Sequence, residues 1–72
     1  MNYEELAETV RKDLRLFTHA EGRRIVESVV EAIRGEVRRG RSVRLRNFGT
    51  FSRYKSRSKD RVRFSASKNF LG

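Results

Sequence analysis

The chain has no cysteine, no proline and no tryptophan among its 72 residues, and a single histidine. Without cysteine there is no disulfide and no thiolate metal site to stabilise a small fold. One histidine without sulfur partners leaves a transition-metal centre short of its usual ligands. No apolar run approaches the ~20 residues of a membrane-spanning helix. The opening Met1-Asn2-Tyr3-Glu4-Glu5 is acidic, where a secretory leader would be basic and then apolar. A cytoplasmic protein without membrane contact, metal or other cofactor is the expectation.

A further scarcity is local. Residues 34–72 hold thirteen Lys and Arg against two acids, whereas residues 1–33 hold five against seven. The net charge of +9 is therefore concentrated in one half of the chain. Interspersed charges would serve solubility, whereas segregation of one sign marks a binder of polyanions. Fourteen of the eighteen cations are arginine, whose planar, bidentate guanidinium suits phosphate. GC-rich coding or heat tolerance would also enrich arginine.

Size adds a constraint. A chain this short buries only about 60% of the surface its unfolded form exposes, and is marginal alone. Self-association is the remaining common support, and seven aromatics in so polar a chain fit it. An obligate homodimer, with folding and assembly linked, follows.

Tyr3, Leu6, Val10 and Leu14 recur at helical spacing, with Asn2 as N-cap and Glu4 and Glu5 in the first turn. This predicts a helix over about 3–13. Thr18 and Glu21 have the spacing of a capping box. Ile25, Val26, Val29, Val30, Ile33 and Val37 then form a stripe predicting a helix over about 19–39. Gly35 is read as a place for close approach of another segment, and Gly40 as the glycine that stops the helix. Beyond it the apolar period falls to two. Strands are expected at about 42–46, 49–56 and 61–65, with a corner at Asn47-Phe48-Gly49 and a polar turn at Arg57-Ser58-Lys59-Asp60. Ser67 to Leu71 is read as one last helical turn. The fold class is α+β: two helices followed by a three-stranded antiparallel sheet, in one domain spanning 1–72.

The run Val43-Arg44-Leu45-x-x-Phe48-Gly49-Thr50-Phe51 resembles the V-R-L-P-G-F-G-T-F segment of the HU/IHF group of bacterial histone-like DNA-binding proteins. Met1-Asn2, Glu5-Leu6, Val10, Glu31-Ala32-Ile33 and Phe64-x-x-Ser67-Lys68-x-x-Leu71 agree at near-family spacing. The resemblance implies an intertwined homodimer with a helical-hairpin base and a saddle of two sheets over double-stranded DNA. It implies a nucleoid-associated place in the cell, or association with a viral genome. In the family each protomer extends a two-stranded arm into the minor groove, where a proline near the tip wedges between base steps.

This chain departs from that pattern. Only 14 residues separate Gly49 from Phe64, and no proline is present. Strands of six or seven residues would reach ~20 Å, so a shortened arm, a truncated last helix and weaker bending are expected. Arg46-Asn47 stands where the family has Pro-Gly. The expected DNA-binding residues are Arg44, Arg46, Asn47, Arg53, Lys55, Arg57, Lys59, Arg61, Arg63 and Lys68. Arg53 ranks below Arg61 and Arg63 because it shares parity with Phe51. Val30, Ile33, Leu45, Phe48, Phe51 and Phe64 are expected in the dimer core.

Each feature has a plainer reading. His19 is read as a solvated first-turn residue, and Glu27 and Glu31 as ordinary surface charges four apart. The alternating cations from Arg53 to Arg63 would also protect an edge strand against aggregation, although seven basic residues from 53 to 68, facing only Asp60, exceed that need. Tyr54 is read as packing at the base of the arm, with base stacking as the alternative. No nucleophile–base constellation or phosphate-cradling glycine loop is present, so neither catalysis nor a small-molecule substrate is expected. Compaction or coating of duplex DNA without reading its sequence is the expected function. The rivals are an assembly role, for example in a virion, and RNA or single-strand binding.

Overall fold

The computed structural model describes residues 1–72. Helix α1 spans Tyr3–Asp13 and α2 His19–Arg38; strands β1 (Val43–Leu45), β2 (Gly49–Ser56) and β3 (Lys59–Ala66) follow. The chain divides into two compact units, Met1–Ala32 and Ile33–Gly72.

In the first unit the helix starts are set by side chains. The Glu5 amide donates to Asn2 Oδ1 at 2.9 Å, capping α1. At the start of α2 the Glu21 amide donates to Thr18 Oγ1 at 3.2 Å, and the Thr18 amide to Glu21 Oε1 at 3.3 Å. Both sites satisfy donors that a helix leaves open at its start. Helix α1 ends where Arg15 turns left-handed (φ 56). There the Leu16 amide reaches the Arg11 carbonyl at 2.8 Å, and that of Arg15 reaches Lys12 at 3.2 Å. This is a Schellman stop with arginine at the position glycine favours.

The two helices touch through their smallest residues. Ala7 is fully buried, and a Cβ added at Gly22 would lie 2.4 Å from the Ala7 carbonyl oxygen and 3.2 Å from Arg11 Cβ. Gly22 is thus the close-approach glycine. The expectation placed that role at Gly35, where an added Cβ would meet nothing nearer than the Arg39 guanidinium at 3.7 Å. Nor is His19 simply solvated. Its ring nitrogens face Glu8 at 3.1 Å and Glu4 at 2.5 Å, and Arg23 pairs with Glu4. Arg11 also grips Glu8, and with His19 it lowers the Glu8 carboxyl from its ordinary 4.5 to about 2.

In the second unit α2 ends as anticipated. Gly40 is left-handed (φ 80), its amide reaches the Val37 carbonyl at 3.0 Å, and the Arg41 amide reaches Glu36 at 3.0 Å. Arg39 serves as the cap, one residue beyond the helix. The sheet order is β1-β2-β3, antiparallel throughout.

Three details of the sheet differ from expectation. β1 is two residues shorter, because the corner begins at Arg46. β3 starts at Lys59, so Arg57-Ser58 alone makes the hairpin turn, both residues left-handed (φ 51 and 66). This is the geometry of a two-residue type I′ loop, which matches the right-handed twist of the flanking strands. Finally, the segment after β3 forms turns in place of a helical turn, with the Phe70 amide on the Ser67 carbonyl at 3.1 Å and that of Gly72 on Asn69 at 3.0 Å.

The single chain encloses little. Its buried apolar side chains are Ala7, Val26 and Val37. Phe48, Phe64 and Phe70 each stay 41% exposed, although their rings cluster with one another.

Candidate nucleic-acid interface

Directly opposed residues in an antiparallel pair share a face of the sheet, and successive residues alternate. The register therefore assigns every side chain of the hairpin. Ser52 pairs with Arg63, Tyr54 with Arg61 and Ser56 with Lys59, while Arg44 pairs with Thr50 and Thr50 with Ser65. One face thus carries Arg44, Lys59, Arg61 and Arg63 among hydroxyl side chains and Tyr54, without a single carboxylate.

The reverse face is apolar near β1 and ionic toward the hairpin tip. Val43, Phe51 and Phe64 share one row, and Leu45, Gly49 and Ala66 the next. Phe51 and Phe64 have ring centroids 4.8 Å apart, and Phe48 and Phe70 join them at 5.5 and 4.8 Å along the chain of rings. Gly49 is obligatory for space: an added Cβ would fall 2.6 Å from the Phe64 ring. Of the expected dimer-core residues, Leu45, Phe48, Phe51 and Phe64 gather here. Val30 lies in the first unit and Ile33 at the start of the second, both partly buried.

Arg53 and Lys55, expected among the DNA-binding cations, lie on this reverse face. Arg53 donates to the Arg38 carbonyl at 2.7 Å and to Asp60 at 2.6 Å. That pairing lowers the Asp60 carboxyl below its ordinary range and raises the Arg53 guanidinium. Lys55 stands directly opposite Asp60. By contrast, Arg44, Arg46, Arg57, Lys59, Arg61, Arg63 and Lys68 have no carboxylate partner, unlike Arg39 and Arg41, which hold Glu36.

The corner gathers three of these cations. The Phe48 amide closes a turn on the Leu45 carbonyl at 3.0 Å, with Asn47 left-handed (φ 63) at its third position. Asparagine tolerates that conformation better than most residues, so Arg46-Asn47 forms the turn without proline or glycine. The Ser67 amide donates to the Phe48 carbonyl at 2.8 Å, and Asn69 Nδ2 to Asn47 Oδ1 at 3.3 Å. These bonds bring Lys68 to an open groove of about 750 Å³ lined also by Arg44, Arg46, Thr50 and Ser65. Asn47 thus has a structural task that its selection as a DNA-binding residue did not include. Its signal in the sequence is an asparagine at a position where the turn requires positive φ.

A cationic sheet face free of acids can hold a row of phosphates, and no group on it is arranged for bond-making chemistry. The family model described as "Bacterial DNA-binding protein" matches residues 1–62. The chain belongs to that family. As a member of this HU/IHF group it is a histone-like, non-enzymatic DNA-binding protein. No curated protein sequence matches it. Among solved structures, a valine-to-isoleucine mutant of HU from Thermotoga maritima aligns with a TM-score of 0.85 at 22% identity, covering 99% of this chain and 94% of that one. HU from Anabaena, in a structure described as an HU–DNA cocrystal, aligns with a TM-score of 0.80 at 23% identity and the same coverage. At that identity the likeness is one of fold. No helix here is long and apolar enough to cross a membrane.

Proposed function

We propose that two copies of this single-domain chain join through the phenylalanine-bearing face and present their cationic faces to double-stranded DNA. The segregation across the hairpin carries this reading: four cations and no acid on one face, four phenylalanine rings associated with the other. Arg44, Lys59, Arg61 and Arg63 would contact phosphates from the strands, Arg46 and Lys68 from the corner, and Arg57 from the tip. Arg53 and Lys55 take secondary parts, in keeping with their position beside Asp60. Phosphate contacts position a protein without reading bases, so binding is largely indifferent to sequence. The chain contains no proline to wedge between base steps, and coating or compaction with modest bending follows. Such a protein resides with the nucleoid, or with a packaged viral genome.

The half-exposed rings support the dimer. A 72-residue chain with three buried apolar side chains has too small a core to stand alone, and closing the cluster against a second copy removes this deficit. A salt-series titration of duplex DNA tests the function. With roughly 5 to 8 phosphates neutralised, log K against log salt falls with a slope of about −4.5 to −7, equally for unrelated sequences. A slope near zero refutes the reading. A well-folded monomer in light scattering refutes the dimer.

A further inference from the structure

Two arginines of the hairpin are held in opposite ways. Arg53 is held by its rim: its two terminal nitrogens donate to the Arg38 carbonyl and to Asp60, at 2.7 and 2.6 Å. Two of its five N–H donors are thus engaged, and the Asp60 carboxylate offsets its charge. Arg63 is held over an aromatic ring. Its guanidinium carbon lies 4.7 Å from the centroid of the Tyr54 ring, and no carboxylate takes its N–H groups. A guanidinium carries all five donors in its plane and none above or below it. A contact with the ring face therefore restrains the cation without committing its N–H donors to a carboxylate.

The register explains why this pair forms. Tyr54 stands opposite Arg61, and Arg63 stands two residue pairs farther from the tip, opposite Ser52. Diagonal neighbours across an antiparallel pair are within reach of aromatic and long side chains, and the short Ser52 side chain leaves Arg63 room to lean across. Tyr54 is 37% exposed on the acid-free face, so the stacked pair sits among the phosphate-binding candidates.

We propose that Tyr54 is a positioning residue for duplex binding, its ring restraining the Arg63 guanidinium so that the rim stays open to a phosphate. The proposal rests on the duplex-binding reading above. A long side chain loses rotamer freedom when it is immobilised at an interface, and Arg63 has lost part of that freedom before DNA arrives. The phenol hydroxyl has no part in this; the ring face does. One side of the ring is thereby occupied by arginine, which argues against Tyr54 as a platform for unpaired bases.

The test is a double-mutant cycle by fluorescence anisotropy on labelled duplex, across a salt series, with the full chain. Tyr54→Phe keeps wild-type affinity within about twofold, whereas Tyr54→Leu weakens it about two- to fivefold, the range for an exposed cation–π contact. In an Arg63→Ala background Tyr54→Leu has no further effect, because the two residues act as a unit. Arg63→Lys, which keeps the charge, also loses affinity, since the compact, strongly hydrated ammonium is less well held over the ring and lacks the planar fork. In the DNA-free protein, NMR gives upfield-shifted Arg63 side-chain protons in the wild type and Tyr54→Phe, and ordinary positions in Tyr54→Leu.

Any of four results overturns the proposal: Tyr54→Leu binding like the wild type, Tyr54→Phe falling as far as Tyr54→Leu, an undiminished effect of Tyr54→Leu in the Arg63→Ala background, or full affinity in Arg63→Lys. If the wild type itself shows no salt-dependent duplex binding, the duplex reading fails and this proposal fails with it. Failure of positioning alone appears as wild-type binding of normal slope that Tyr54→Leu leaves intact.

Discussion

Substituting alanine for Gly22 and for Gly35 changes the same residue type in the same helix by the same methyl group, with opposite expected signs. Replacing glycine inside a helix by alanine contributes about 1 kcal/mol through propensity at either position. At Gly35 nothing offsets this gain, since the new Cβ would meet only the movable end of Arg39 at 3.7 Å. At Gly22 the Cβ would come within 2.4 Å of the Ala7 carbonyl oxygen and 3.3 Å of the Ala7 carbonyl carbon. Ordinary contact begins about an ångström farther out than the first of these, and backbone cannot swing aside as a side chain can. The helices must separate around a residue that is fully buried. Overpacking of this kind costs about 1–3 kcal/mol. Because the propensity gain is common to both variants, their difference in stability isolates the overpacking, about 1–3 kcal/mol with Gly35→Ala the more stable. Urea unfolding at one fixed protein concentration measures it, the concentration being fixed because assembly contributes to stability. Two variants of equal stability would refute the argument that α1 and α2 meet at Gly22.

Other expectations follow from the sheet and the charges. Replacing Arg61 and Arg63 together by alanine weakens duplex binding uniformly across sequences and makes the salt slope shallower by roughly 1.8, at 0.9 per phosphate; an unchanged slope in a folded protein places the interface elsewhere. Ser58→Gly relieves a left-handed serine in the hairpin turn and raises hairpin stability by about 1 kcal/mol, read from slower amide exchange in β2 and β3. Glu8 has a carboxyl lowered to about 2, first by Arg11 and then by His19, and Glu36 and Asp60 are lowered in the same direction by their arginines. A depressed carboxyl stabilises the fold above its unfolded value and ceases to do so as pH falls through the folded one. Thermal stability should therefore fall as pH drops from about 4.5 to 2, and Glu8→Gln should flatten that decline.

Local chemistry was legible along the chain because it depends on near neighbours. The Asn2 cap, the Thr18–Glu21 box and the Gly40 stop each involve residues within a few positions. Strand parity was legible for the same reason: Val62 and Phe64 were separated from Arg61 and Arg63 by alternation alone. What escaped was whatever depends on register. Parity with Phe51 set Arg53 below Arg61 and Arg63, but Lys55 and Lys59 read as members of one alternating series; a two-residue loop places Ser56 opposite Lys59, so odd-numbered residues change face at the turn. Arg57-Ser58 carries no Asn-Gly signature to announce so tight a loop, and the polar run Arg57-Ser58-Lys59-Asp60 reads as a four-residue turn. Gly22 and Gly35 are likewise indistinguishable in a helical pattern; only the path of α1 makes one of them irreplaceable. Arg46-Asn47 stands where the family motif has Pro-Gly, and Asn47 supplies the left-handed conformation that closes the turn.

The pairing of Phe51 with Phe64, continued without a bulge to Ser56 and Lys59, limits how this hairpin can change in length. An added residue in one strand alone would send Arg61 and Arg63 among the rings and Phe64 into water, or force the extra residue out as a bulge. Growth at the tip by one residue in each strand leaves every existing pair undisturbed. Reach on DNA is therefore adjustable only in matched steps of about 3.3 Å, each step adding an opposed pair of side chains to one surface of the ribbon and the next step a pair to the other.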